Sequence, residues 1–236
     1  QAANGVNFLV GMAMFGTIAF MPLFLQVVKH VDPISSGLYL VAMMVGLIGM
    51  SFVAGRFITS TGRYKILPTI STSILTVAML LMTTIGPDTP LWVITIFLFF
   101  VGIGIGPTMS VGIVSIQTAV PREHLGVGTA SANMFRLIGG SIGPSVFGAI
   151  FTLGLGQHVK PLLPQVDEIR ELTGEMVDAL PTEIQGAVLQ GFADALTPIF
   201  FVGAAVAAVA CLASTRLVEL PLGPGSTSRQ QTTPAE

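Results

Sequence analysis

The chain has 236 residues, of which 52% are hydrophobic and 9% charged; its net charge is −2 and its mean hydropathy +0.82. Soluble domains carry about 25% charged residues, so a water-soluble domain is excluded, and the near-neutral balance excludes nucleic acid as a partner. The surplus apolar surface must face lipid, and the single cysteine, Cys211, can form no disulfide within the chain.

A bilayer span needs about 20 apolar residues. Six runs qualify, at residues 5–28, 35–55, 66–86, 91–119, 126–154 and 195–215. They predict an all-α polytopic membrane protein. The first run begins almost at once, with no basic n-region and no initiator Met, so the chain is expected to be a fragment of a longer protein.

Between the second and third runs lie Arg56, Arg63 and Lys65, without an acid. The positive-inside rule puts that loop in the cytoplasm. Gly86–Pro90 holds no basic residue and is expected outside, and Arg122, after the fourth run, is expected inside. Residues 156–194 are rich in acids and are expected outside. There Val166, Ile169, Leu172, Met176, Leu180 and Ile184 recur at helical spacing up to a break near Pro181, predicting an amphipathic helix over the mouth or on the headgroups. Both ends then lie in the cytoplasm. The expected organisation is spans over 1–155, an external acidic segment over 156–194, a last span over 195–217 and a disordered tail over 218–236.

No metal-ligand spacing or nucleophile–base pair occurs, so neither an enzyme nor a metal site is expected. Gly102 and Gly106 form a G-x-x-x-G pair that lets helices approach closely. Pro107 stands where a dinucleotide fingerprint needs its third glycine.

Arg136 is the only charge inside any of the six runs. A charge at midspan costs about 2.5–3.5 kcal/mol on insertion scales, and such residues usually mark functional sites. It lies some ten residues from the cytoplasmic end, or roughly 15 Å at about 1.5 Å per residue, close to the midplane. On a helical wheel Thr129, Asn133, Arg136, Gly140 and Gly143 share one face, and Val127, Met134, Ile138 and Ile142 the opposite one. The polar face is expected to line a cavity, with Arg136 as fixed charge, Asn133 and Gln26 as polar contacts and Ser110 as a further one. Gly139, Gly143 and Pro144 are expected to pack closely and bend the helix. None of the six runs contains Asp or Glu, so an acidic partner for Arg136, or a proton carrier, would have to lie outside this chain.

Two motifs carry a family resemblance. Gly55, Gly62 and Arg63 match the spacing of the cytoplasmic loop signature of the major facilitator superfamily, although Thr59 stands where that signature has Asp. Gly139-x-x-x-Gly143-Pro144 resembles the superfamily's antiporter signature, with Phe147 in place of its first terminal Gly. With Met21–Gln26, Ser36-Gly37 and Gly128–Gly140, the chain resembles the C-terminal half of EmrB/QacA-type multidrug:proton antiporters, a fourteen-helix branch. That resemblance implies an exporter of lipophilic or amphipathic drugs in a bacterial inner membrane. It has no cofactor beyond the proton as coupling ion. Its partners are a small-molecule substrate, membrane lipid and the N-terminal half of the same transporter. The alternatives are a facilitator of another small molecule, such as a sugar, lipid or siderophore, and a membrane scaffold subunit without transport.

Overall fold

The computed structural model describes residues 2–62, 65–119, 122–162, 177 and 180–216. They form six helices: α1 (Ala2–Val27), α2 (Pro33–Thr61), α3 (Ile66–Met82), α4 (Leu91–Ala119), α5 (Leu125–His158) and α6 (Thr182–Thr215). Five are long and apolar enough to cross a bilayer; α3, with 17 residues, is shorter. No strand occurs among the described residues, so the all-α polytopic expectation holds.

Local chemistry sets the ends. Asp32 caps α2 by accepting a hydrogen bond from Ser35 N–H at 3.0 Å, and Pro33 occupies the first turn. At its other end α2 runs past the expected stop at residue 55 and through Thr61. There the hydroxyls of Thr59, Ser60 and Thr61 fold back onto the carbonyls of Gly55 and Phe57, so these polar groups are satisfied within the helix itself. Gly55 therefore lies within a helix and not in a loop. Gly62, at φ 70°, ends α2 with its N–H on the Ile58 carbonyl, a conformation that favours glycine. Arg63 lies outside the described residues.

Helices α1 and α5 pack along each other, as do α2 and α4. Helix α3 packs on α4 and α6, and α6 on α1. Exchanging α1 with α4, α2 with α5 and α3 with α6 maps α1–α5 onto α2–α4 and α3–α4 onto α1–α6, and leaves α3–α6 in place. The bundle is therefore built from two three-helix units in pseudo-twofold relation. The α5–α6 pairing has no counterpart of similar extent between α2 and α3. Phe24 of α1, Met79 of α3, Leu98 of α4, Phe147 of α5 and Phe200 of α6 meet in one core. The outer face of α2 exposes Ile34, Leu38, Ile48 and Phe52.

The last helix differs from expectation. It starts at Thr182 and not near residue 195, and α5 continues to His158. The two extensions pack together. A Cβ on Gly154 would stand 2.9 Å from Ala195 Cα, and one on Gly191 3.0 Å from the His158 carbonyl oxygen. The Phe151 and Phe192 rings meet edge to face at 5.2 Å. Val159, Val177 and Val188 are buried beside them. Pro181 sits at the N-cap of α6. Val166, Ile169, Leu172 and Met176 of the proposed amphipathic pattern, and the tail from 218, lie outside the described residues.

Candidate functional site

Two helix crossings share one construction. In α4, Gly102 and Gly106 face the carbonyls of Met43 and Leu47 in α2, and Gly46 of α2 faces the carbonyl of Phe99. In α5, Gly139 and Gly143 face the carbonyls of Phe8 and Met12 in α1, and Gly11 faces the carbonyl of Arg136. The spacings are identical on both sides, and Pro107 follows Gly106 as Pro144 follows Gly143. A side chain at any of these six glycines would meet backbone, which cannot step aside. Arg136 thus occupies at its crossing the place of Phe99 at the other.

Ala132, Gly139, Gly143 and Phe147 of α5 are buried against the bundle. Arg136 falls on that same stripe by helical spacing and is half-buried. Its Cγ lies 3.2 Å from where a Gly11 Cβ would be, so the missing side chain of Gly11 makes room for the arginine stem. Nε of Arg136 is buried, and no acceptor among the described residues reaches it. An unpaired buried donor costs about 1–3 kcal/mol, more when the group is charged. The faces of the wheel divide as expected on the apolar side: Val127, Met134, Ile138 and Ile142 are exposed.

Further along the same α1–α5 seam, Asn4 Nδ2 donates to Ser131 Oγ at 3.2 Å. One turn on, Asn7 is buried against α4, its amide atoms 3.0 Å from where a Gly112 Cβ would be. Asn7, Val6, Pro68, Thr108 and Gly112 line a cavity of about 10 Å³. That is room for one water and too little for a drug-sized ligand. Hydroxyl pairs tie α3 to its neighbours: Ser71 with Thr108 at 2.7 Å and Thr69 with Ser214 at 3.0 Å. Cys211 Sγ joins this seam beside Ser73 at 3.2 Å.

The expected cavity residues are not gathered in one place. Asn133 is exposed on the flank of α5, one turn from Arg136. Gln26 lies near the far end of α1, roughly 20 Å beyond Gly11 at about 1.5 Å per residue, and donates to Ser36 Oγ at 2.9 Å. Ser110 belongs to the other crossing. It donates to the Ser51 carbonyl at 3.0 Å, while Ser51 Oγ donates to the Gly106 carbonyl at 2.8 Å. Gln26 and Ser110 each find an acceptor on α2, away from Arg136. Gly11, Gly46, Asn4 and Asn7 were not singled out from sequence. The Gly11 spacing to no second glycine in α1 gives no pair signal.

At the end of the bundle carrying Gln26, Lys29 Nζ donates to the Pro87 carbonyl and joins the α1–α2 turn to the α3–α4 turn. Burial lowers the Lys29 pKa, and Asp88 opposes that shift. Hydrogen bonds from Ser35, side chain first and backbone second, hold the Asp32 carboxyl below its usual range.

Several known proteins resemble the chain in sequence. An uncharacterized MFS-type transporter of Mycobacterium tuberculosis is 32% identical over 219 residues, which is 92% of this chain and 32% of the relative. A tetracycline resistance determinant of Streptomyces rimosus is 36% identical over 155 residues, 65% of this chain and 45% of the relative. The multidrug transporter protein MdtP of Bacillus subtilis is 34% identical over 169 residues, 70% of this chain and 31% of the relative. The chain thus spans about a third to under a half of the length of these transporters. The sequence model of the Major Facilitator Superfamily matches residues 5–144, from α1 through both glycine crossings to Pro144. With that match running from α1 into α5 of an all-helical bundle with five membrane-length helices, the chain belongs to the Major Facilitator Superfamily, a family of transporters and not of enzymes.

Proposed function

We propose that this chain is the C-terminal half of a secondary active exporter that moves lipophilic or amphipathic compounds out of the cell in exchange for protons. The observation that carries the reading is Arg136: the one charge within the six apolar runs, with a buried Nε that no acceptor among the described residues pairs. Relatives bearing drug-efflux and tetracycline-resistance names support the substrate class. Alternating access between two halves that rock about a midplane site is the general scheme for such folds. With no acid in the six apolar runs, the proton is carried by the remainder of the transporter. Arg56 and Lys65, both exposed at one end of the bundle, support placing that end in the cytoplasm of a bacterial inner membrane. The proton is the only coupling species required.

The test is drug-driven proton movement in vesicles holding the full-length protein. Arg136→Ala should reduce it severalfold with expression intact. Undiminished proton movement in that variant would remove Arg136 from the transport cycle.

A further inference from the structure

The unpaired atom of Arg136 says more than that a charge is present. The guanidinium offers its donors along distinct edges, and the side edge consists of Nε–H together with one Nη–H. Nε is the buried atom left without an acceptor. A ligand that satisfies it meets this side edge, while the arginine stem occupies the space that Gly11 leaves. A neutral carbonyl would satisfy the N–H but leave the charge uncompensated in a low-dielectric surrounding. A planar oxyanion does both, because its two oxygens match the two parallel N–H groups.

We propose that Arg136 is a carboxylate-binding residue that takes its ligand bidentately through Nε and Nη at the α1–α5 crossing, with Gly11 holding the space for its stem. The inference rests on the export reading above and gives the ligand its chemistry. Two sources can supply the carboxylate: the transported compound, or an Asp or Glu of the transporter outside this chain. Within the chain the six apolar runs supply none. The fork matters as well as the charge. Lysine carries the same charge as a single point and lacks the side edge.

The experiment uses the full-length transporter in proteoliposomes with an imposed pH gradient. The probes are an amphipathic fluorescent arylcarboxylate and its uncharged methyl ester. Arg136→Gln and Arg136→Lys are compared with wild type, and thermal melting confirms that each variant is folded. If the carboxylate comes from the transported compound, both variants weaken binding of the acid at least tenfold and leave the ester unchanged. If it comes from the protein, both probes lose efflux together, and neutralising one upstream membrane Asp or Glu restores Arg136→Gln at least fivefold. Arg136→Lys matching wild type with both probes overturns the bidentate assignment. So does the absence of both an acid-selective loss and a restoring substitution. Failure of the export reading is seen separately. Wild type then moves neither probe, while thermal melting with the arylcarboxylate still shows stabilisation in wild type that Arg136→Lys loses.

Discussion

Gly11 of α1 sits directly against the backbone carbonyl of Arg136 in α5, with the arginine Cγ 3.2 Å from the missing Cβ. The charge and the close crossing are therefore one construction. Arg136 can run between the helices only because α1 has no side chain at that point.

Gly11→Ala should accordingly destabilise the bundle by about 1–3 kcal/mol, the usual cost of overpacking a rigid site. Gly37→Ala, which places its methyl in open space, should leave stability unchanged or raise it slightly. Thermal unfolding in one detergent compares them. Equal melting of Gly11→Ala and wild type would mean that the helices separate there at no cost.

Ser110 tests the other crossing. Its hydroxyl bridges α4 to the Ser51 carbonyl of α2, and interhelical hydrogen bonds of this kind average about 0.6 kcal/mol in membranes. Ser110→Ala should cost about that much in a denaturant titration and leave drug affinity where it was. A change in affinity without a change in stability would return Ser110 to the substrate path.

Much of the bundle is legible in the sequence, because lipid forces apolar length onto a spanning helix. The limits of α4, Leu91–Ala119, coincide with its apolar run. The start of α6 is not legible that way. Glu183, Gln190 and Asp194 end the apolar run, yet the helix continues through them because Val188, Leu189 and Phe192 still pack on the core. The site divides along the same line. Arg136 announces itself by being charged, and Gly139 and Gly143 by their spacing. Gly11 and Asn7 acquire their roles from helices more than a hundred residues away in the chain, and no local pattern marks them. Gln26 and Ser110 look equivalent to Asn133 as polar residues in apolar runs; their acceptors on α2 set them apart.

Asp32 predicts a pH effect at the opposite end of the bundle from the Arg136 crossing. Its carboxyl is held below the ordinary aspartate range by the hydrogen bonds of Ser35. A depressed carboxylate contributes stability that is present above its unfolded pKa and lost as pH falls through its folded one. Hydrogen exchange at the first turn of α2 should be faster in Asp32→Ala than in wild type at pH 7. The two should converge once pH drops well below 3.8. A gap that persists undiminished at low pH would show that the charge is not what caps the helix.

Helices α5 and α6 have 34 residues each, about 51 Å at 1.5 Å per residue, against a hydrocarbon layer of about 30 Å. Pro181, Gln190 and Gly191 therefore stand on a stalk beyond that layer, where α6 packs on the end of α5, with Pro144 of α5 and Pro198 of α6 between the stalk and the rest of the bundle. Rocking of α5 at Arg136 reaches the stalk through the α5 backbone and the Phe151–Phe192 contact that ties α5 to α6. The motion of a half-buried charge within the membrane is thereby read on a surface that water, and a label at Gln190, can reach.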